Sequence, residues 1–136
     1  MSREIIAILC RPNAGKSTLA QKLSKEKNYP ILHTDKYIGD VDFKDVPKRI
    51  IEDLEKDTQD GGIIVEGIQA ARLVRTGQRD KSFTPSEVYW VDSNLHLEKR
   101  HRSLDALCRN CITEFEDNNE TNIPVHRVFN DLGGVE

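Results

Sequence analysis

Along this chain, short runs of apolar residues alternate with stretches whose apolar positions recur at helical spacing. Ile5 to Leu9 is a continuous apolar run, the pattern of a strand buried on both faces. Lys16 to Lys25 then places Leu19, Ala20 and Leu23 on one side of a helix. Pro30-Ile31-Leu32-His33 predicts a second short strand. Asp45 stands as the cap of a helix in which Val46, Ile50, Ile51 and Leu54 share a face. Gly61-Gly62 opens a third strand, Ile63 to Val65, ending at Glu66-Gly67. A short helix follows over Gln69 to Arg75 and is expected to stop at Thr76-Gly77. Residues 77–86 read as a polar loop and Val88 to Val91 as a fourth strand. Leu97, Leu104, Leu107, Cys108 and Cys111 suggest a long helix, broken near Ser103. An acidic, Asn-rich loop at 116–122 leads to a fifth strand, Val125 to Phe129.

Strands separated by helices predict βαβ units, here an α/β three-layer sandwich around a mainly parallel sheet of about five strands. With 136 residues, no repeat and no Pro/Gly-rich linker, residues 1–136 form one domain. Ligands of such sheets sit at the carboxyl ends of the strands. That rule marks the residues after Leu9, His33, Val65, Val91 and Phe129 before any motif is considered.

Composition narrows the partners. The net charge of −3 gives no general attraction to nucleic acid or an anionic membrane, although it leaves room for a local basic groove. No stretch approaches the roughly 18 apolar residues of a membrane span. Met1-Ser2-Arg3-Glu4 runs straight into the first strand without the pattern of a secretory signal. Together with three cysteines, an odd number, this points to reduced thiols and a cytoplasmic setting.

Cys10-Arg11-Pro12-Asn13-Ala14-Gly15-Lys16-Ser17-Thr18 joins the first strand to the first helix. It matches the phosphate-binding (Walker A) pattern G-x-x-x-x-G-K-[ST], except that Cys10 takes the first glycine position. The spacing has a mechanical reason. A tight turn over Asn13, Ala14 and Gly15 points successive N–H groups inward, and the helix N-terminus adds its positive dipole end. Lys16 would reach the β- and γ-phosphates of ATP, the Ser17 hydroxyl would ligate Mg²⁺, and Thr18 would support the α-phosphate side. If the first position needs positive φ, a cysteine there costs about 1 kcal/mol relative to glycine.

Two acids end strands. Asp35 follows the second in His33-Thr34-Asp35-Lys36-Tyr37, and Glu66 ends the third. Phosphoryl transfer to a hydroxyl needs one carboxylate to orient or deprotonate the acceptor, and often another to hold magnesium through water. Asp35 is the candidate base and Glu66 the magnesium-linked acid, with the reverse assignment left open. A glutamate closing an apolar strand is costly to bury without a partner. Asp92, after the fourth strand, reads as a cap for the next helix.

The phosphate loop, Asp35-Lys36-Tyr37 and Val65-Glu66-Gly67 together resemble the P-loop small kinases, most closely the uridine kinase, phosphoribulokinase and polynucleotide kinase branches. The resemblance implies transfer of the γ-phosphoryl of ATP, with Mg²⁺, to an alcohol acceptor. Asp35 would bind the acceptor and Glu66 would serve the magnesium side. Lys36-Tyr37 replaces the two-aromatic version of the uridine kinases, so acceptor specificity does not transfer. Val91-Asp92-Ser93-Asn94 followed by Leu97-Glu98-Lys99-Arg100-His101-Arg102 resembles the lid of these kinases, about residues 94–120. There Arg100 would close over the phosphates, with Arg102 and Arg109 as alternates. A solvated basic face is the competing reading of that run. Val128-Phe129-Asn130-Asp131 resembles the adenine-side loop.

Arg72 and Arg75, after Glu66, are candidates for an acceptor phosphate. Cys108-Arg109-Asn110-Cys111 is a lone C-x-x-C with His101 and His126 as further conceivable zinc ligands, but two cysteines at helical spacing more often belong to a core. Tyr89 and Trp90 read as core. The short, charged span between Asp35 and Gly61 makes a small acceptor cover. The acceptor is therefore a nucleoside-like molecule or a bulkier one, such as a DNA or RNA end or a modified-base hydroxyl in DNA. The alternative is a nucleotide-binding NTPase or regulatory module with no phosphoryl acceptor. A regulatory GTPase would need Asn-Lys-x-Asp after the fourth strand, where Asp92-Ser93-Asn94 stands instead.

Overall fold

A computed structural model describes residues 4–10, 16–56, 61–93 and 102–130, without the side chains of residues 16–18, 93 and 130. Five strands, β1 (Ile5–Cys10), β2 (Ile31–His33), β3 (Ile63–Glu66), β4 (Glu87–Ser93) and β5 (Val125–Asn130), form one sheet in the order β2-β3-β1-β4-β5. Every pairing is parallel. Among the described residues four α-helices connect them: α1 (Lys16–Lys27), α2 (Val46–Lys56), α3 (Ile68–Asp80) and α4 (Arg102–Asp117).

The strand order explains the layers. The chain moves one way across the sheet from β1 to β2, and the other way in its three later crossovers. With right-handed crossovers, a reversal of direction puts the connecting helix on the opposite face. Accordingly α1 is the only described helix on one face, with Ala20 and Leu23 packed on Ile6, Ile8, Cys10, Ile64 and Val91. Helices α2, α3 and α4 cover the other, where Leu9, Val65, Val88 and Trp90 meet Ile50, Leu73, Cys108 and Phe115. Successive residues of β1 alternate between these two cores, as strand geometry requires.

Two local expectations are corrected. Helix α3 does not stop at Thr76-Gly77 but continues to Asp80, closing with Lys81 in the left-handed region (φ 56°). Gly77 is there for packing, because a Cβ on it would lie 2.5 Å from Cβ of Phe83. Asp45 lies inside a 3₁₀ turn, Phe43–Asp45, its N–H bonded to the Asp42 carbonyl (2.8 Å), and so precedes α2 as part of a turn. Asp92 lies within β4 and pairs with Arg109 (3.6 Å), while the segment it was expected to cap lies outside the described residues.

Candidate functional site

The register aligns the strand ends on a single edge. His33 lies opposite Glu66, Glu66 opposite Ile8, Cys10 opposite Val91, and Asp92 opposite Phe129. From that edge β1 hands over to α1, whose first turn contains Lys16 and Ser17. Asn13, Ala14, Gly15, the side chains of Lys16, Ser17 and Thr18, and Arg100 lie outside the described residues. Cys10 is described. It is the last residue of β1, fully buried, and is not among the positive-φ residues, so the strain expected of a cysteine here is not incurred.

Glu66 shares its face of β3 with Ile64, which packs under α1. The carboxyl group therefore lies on the α1 side of the sheet, beside the start of that helix. Only 3% of Glu66 is exposed. His33 donates its Nδ1–H to Oε1 at 2.5 Å, while Oε2 is buried with no hydrogen-bond partner among the described residues. A buried carboxylate oxygen left bare is costly. It is the kind of group that a water-bound cation would satisfy. Ser17 with Glu66 thus fits magnesium on the chemistry of the donor set and on this orphaned oxygen.

Asp35 sits in contrasting surroundings. It belongs to a 3₁₀ turn, Thr34–Tyr37, directly after β2, and its side chain is exposed. The turn is pressed against the start of α3 at Gly67. A Cβ on Gly67 would meet Oγ1 of Thr34 at 2.2 Å and Oδ1 of Asp35 at 3.5 Å. Gly67 also has φ 125° and ψ 176°, a region essentially reserved for glycine. The Glu66-Gly67 pair therefore brings the two acids together. Glu66 turns inward under α1, and Gly67 lets the turn carrying Asp35 close over the strand end. Buried Tyr37 anchors that turn from the other side, its hydroxyl donating to Oδ2 of Asp53 at 2.6 Å. Burial and the Asp53 carboxylate hold the phenol far above its usual pKa.

The arginines divide. Arg109 bridges Asp105 (3.1 Å) and Asp92, which ties it to the end of β4. Arg102 is exposed at the first residue of α4 and makes no ion pair among the described residues. The described part of the expected lid is this helix and the turn after it. Its Cys108, Cys111, Ile112 and Phe115 belong to the core. Arg72, 9% exposed, donates through Nη1 to the Phe43 carbonyl (2.6 Å) and to Oε1 of Gln69 (2.8 Å). Burial, and secondarily the charge of Arg75, lower its pKa. Nε of Arg75 is buried without a partner among the described residues.

Cys108 and Cys111 are buried thiols; burial pushes Cys108 up to about 12. His126 lies on β5 against the Tyr89 ring (4.6 Å between centroids). Trp90 is buried in the core between the sheet and α2–α4. A cavity of about 470 Å³ opens at the opposite, amino edge of the sheet, with Gly77, Phe83, Pro85 and Ile123 in its wall. We place the site at the carboxyl edge despite that volume, because the orphaned carboxylate oxygen, the glycine-only backbone and the start of α1 converge there.

Sequence reasoning missed His33 as the partner of Glu66, and it missed the steric role of Gly67. The first depends on strand register. For the second, the only signal was a glycine directly after a strand-ending acid.

No family model and no curated protein matches this chain. Solved structures do. A thymidylate kinase from Candida albicans aligns with TM-score 0.59 at 13% identity, covering 95% of this chain and 85% of that one. The YorR protein of Bacillus subtilis, in complex with phosphorylated GDP, aligns with TM-score 0.54 at 17% identity over 96% and 86%. Shikimate kinase from Bacteroides thetaiotaomicron aligns with TM-score 0.51 at 12% identity over 93% and 87%. The chain thus has the α/β fold of the P-loop kinases.

Proposed function

We propose that this chain is an ATP-dependent phosphotransferase that moves the γ-phosphoryl group of ATP to a hydroxyl of a nucleoside-like acceptor or of a nucleic-acid end. One observation supports this above all. A buried glutamate with an oxygen unpartnered among the described residues and an exposed aspartate meet around Gly67, at the edge where β1 gives way to a Gly-Lys-Ser-Thr helix start.

In this reading the backbone of residues 13–15 and Lys16 hold the phosphates. Ser17 and, through water, Glu66 would hold Mg²⁺, which when bound neutralises charge on the β- and γ-phosphates. His33 holds Oε1 of the Glu66 carboxylate, which leaves Oε2 for water on the ion. Asp35 orients the acceptor hydroxyl and takes its proton as the oxygen bonds to the γ-phosphorus and the bridging β–γ oxygen leaves with ADP. Arg100, or Arg102 at the start of α4, neutralises the charge that builds on the transferring group. The neighbours with this fold include a thymidylate kinase, a protein holding phosphorylated GDP and a shikimate kinase, all consistent with a small kinase.

The test is transfer from γ-labelled ATP with Mg²⁺ to a panel of nucleosides, oligonucleotides and polyols. Wild type should label one acceptor class. Asp35→Asn should lower kcat by about 10²- to 10⁴-fold, and Lys16→Ala should abolish transfer. Wild-type rates in Asp35→Asn would move the base to Glu66. ATP binding with no labelled acceptor would favour the regulatory reading.

A further inference from the structure

Phe43 stands out among the described residues. It is 52% exposed, and Ile38, the other exposed large apolar residue of the segment after Asp35, is 53% exposed. A single exposed phenylalanine is ordinary. This one, however, is built in. The Arg72 guanidinium lies over its ring at 3.9 Å from the centroid while bonding its backbone carbonyl at 2.6 Å. Gln69 holds the same guanidinium from behind (2.8 Å). Arg72 is itself buried and makes no ion pair among the described residues. A desolvated arginine without a carboxylate is a costly way to brace a surface turn. What it achieves is an aromatic ring braced by a cation yet 52% exposed.

Both turns are held by the same helix. Arg72 lies five residues along the chain from Gly67, about 7.5 Å of helix rise, and a Cβ on Gly67 would lie 3.5 Å from Oδ1 of Asp35. An aromatic system stacked on Phe43 would thus lie at a turn braced by α3, about one and a half helical turns from where that helix meets the Asp35 turn. A ring preorganised in this way loses little freedom on binding, and every nucleobase offers a π-face to it. An aliphatic polyol has no such face.

Resting on the phosphotransfer reading, we infer that Phe43, held by Arg72, is the stacking platform for the acceptor's base, so that the acceptor is a nucleobase-bearing hydroxyl compound. The base can come from a free nucleoside or from a nucleotide at the end of a strand.

The experiment measures equilibrium binding of thymidine, guanosine, ribose and a short single-stranded oligonucleotide by calorimetry. The donor site is filled by a non-hydrolysable ATP analogue with Mg²⁺. The variants are Phe43→Leu, which keeps an apolar side chain, and Phe43→Tyr, which keeps the ring. A nucleoside or the oligonucleotide should bind wild type and Phe43→Tyr alike, and should weaken about 5- to 100-fold in Phe43→Leu. Ribose should not compete. Weakening of nucleosides assigns the free source, and weakening of the oligonucleotide alone assigns the polymer. Unchanged affinity in Phe43→Leu, ribose competing as well as nucleosides, or no base-bearing ligand binding wild type would overturn the platform. ATP-analogue binding, measured separately in wild type and Lys16→Ala, reports on the phosphotransfer reading, so the two can fail independently.

Discussion

Gly67 concentrates the demands of the site on one residue. Its backbone lies at φ 125°, its missing Cβ leaves room for the Thr34 hydroxyl, and it separates the inward glutamate from the turn bearing Asp35. Gly67→Ala should therefore cost about 1–3 kcal/mol of stability from backbone strain alone. The clash with Thr34 should displace Asp35 as well, so transfer should fall even where the protein remains folded. Urea denaturation alongside an acceptor assay would check both, and a variant with wild-type stability and rate would contradict this account of Gly67. Glu66→Gln keeps the shape but weakens the oxygen set facing α1. A loss of about 10- to 100-fold in activity or metal affinity is expected, read from the Mg²⁺ dependence of the rate. At this scale the sequence told much about identity and little about contact. The positions of Asp35 and Glu66 were legible because one closely follows a strand and the other ends one. Their division into exposed and buried acids was not, since it depends on which face of β3 residue 66 occupies and on His33 standing in register beside it.

At the scale of elements, the strands were readable because parallel strands buried on both faces must be apolar throughout. Helix α3 was misjudged, and the reason is instructive. Glycine inside a helical pattern reads as a stop, yet at Gly77 tertiary packing overrode propensity because the Phe83 side chain and carbonyl occupy the space a Cβ would take. Gly77→Ala should accordingly lose about 1–3 kcal/mol through overpacking despite alanine's better helix propensity, with KM for ATP unchanged. A gain in denaturation midpoint would contradict the packing argument. Helix α4 makes a different prediction. Cys108 is held protonated in the fold up to about 12, against an ordinary value of 9.0. A raised folded pKa gives stability that is present in full below the unfolded pKa and is lost as pH climbs through the interval to the folded one. Between pH 9 and about 12, stability should therefore decline in reducing buffer, and decline less in Cys108→Ala. Equal alkaline slopes in the two proteins would show that Cys108 contributes nothing to it.

For the molecule as a whole, strand order was the least legible property. Nothing in the local pattern says that β3 lies between β2 and β1, yet that order puts Glu66 next to β1 and reverses the crossover direction, leaving α1 on the face opposite the other described helices. The result is a sheet with two different edges. One gathers the strand-end acids and the start of α1; the other holds a cavity of about 470 Å³. The central claim is that nucleotide binds at the first. Amide chemical-shift mapping with a non-hydrolysable ATP analogue and Mg²⁺ tests it directly. The account predicts the largest shifts at Cys10, Lys16, Ser17, Glu66 and Gly67, with Gly77, Phe83 and Ile123 unmoved. Shifts concentrated around the amino-edge cavity, with Glu66 and Gly67 silent, would contradict it.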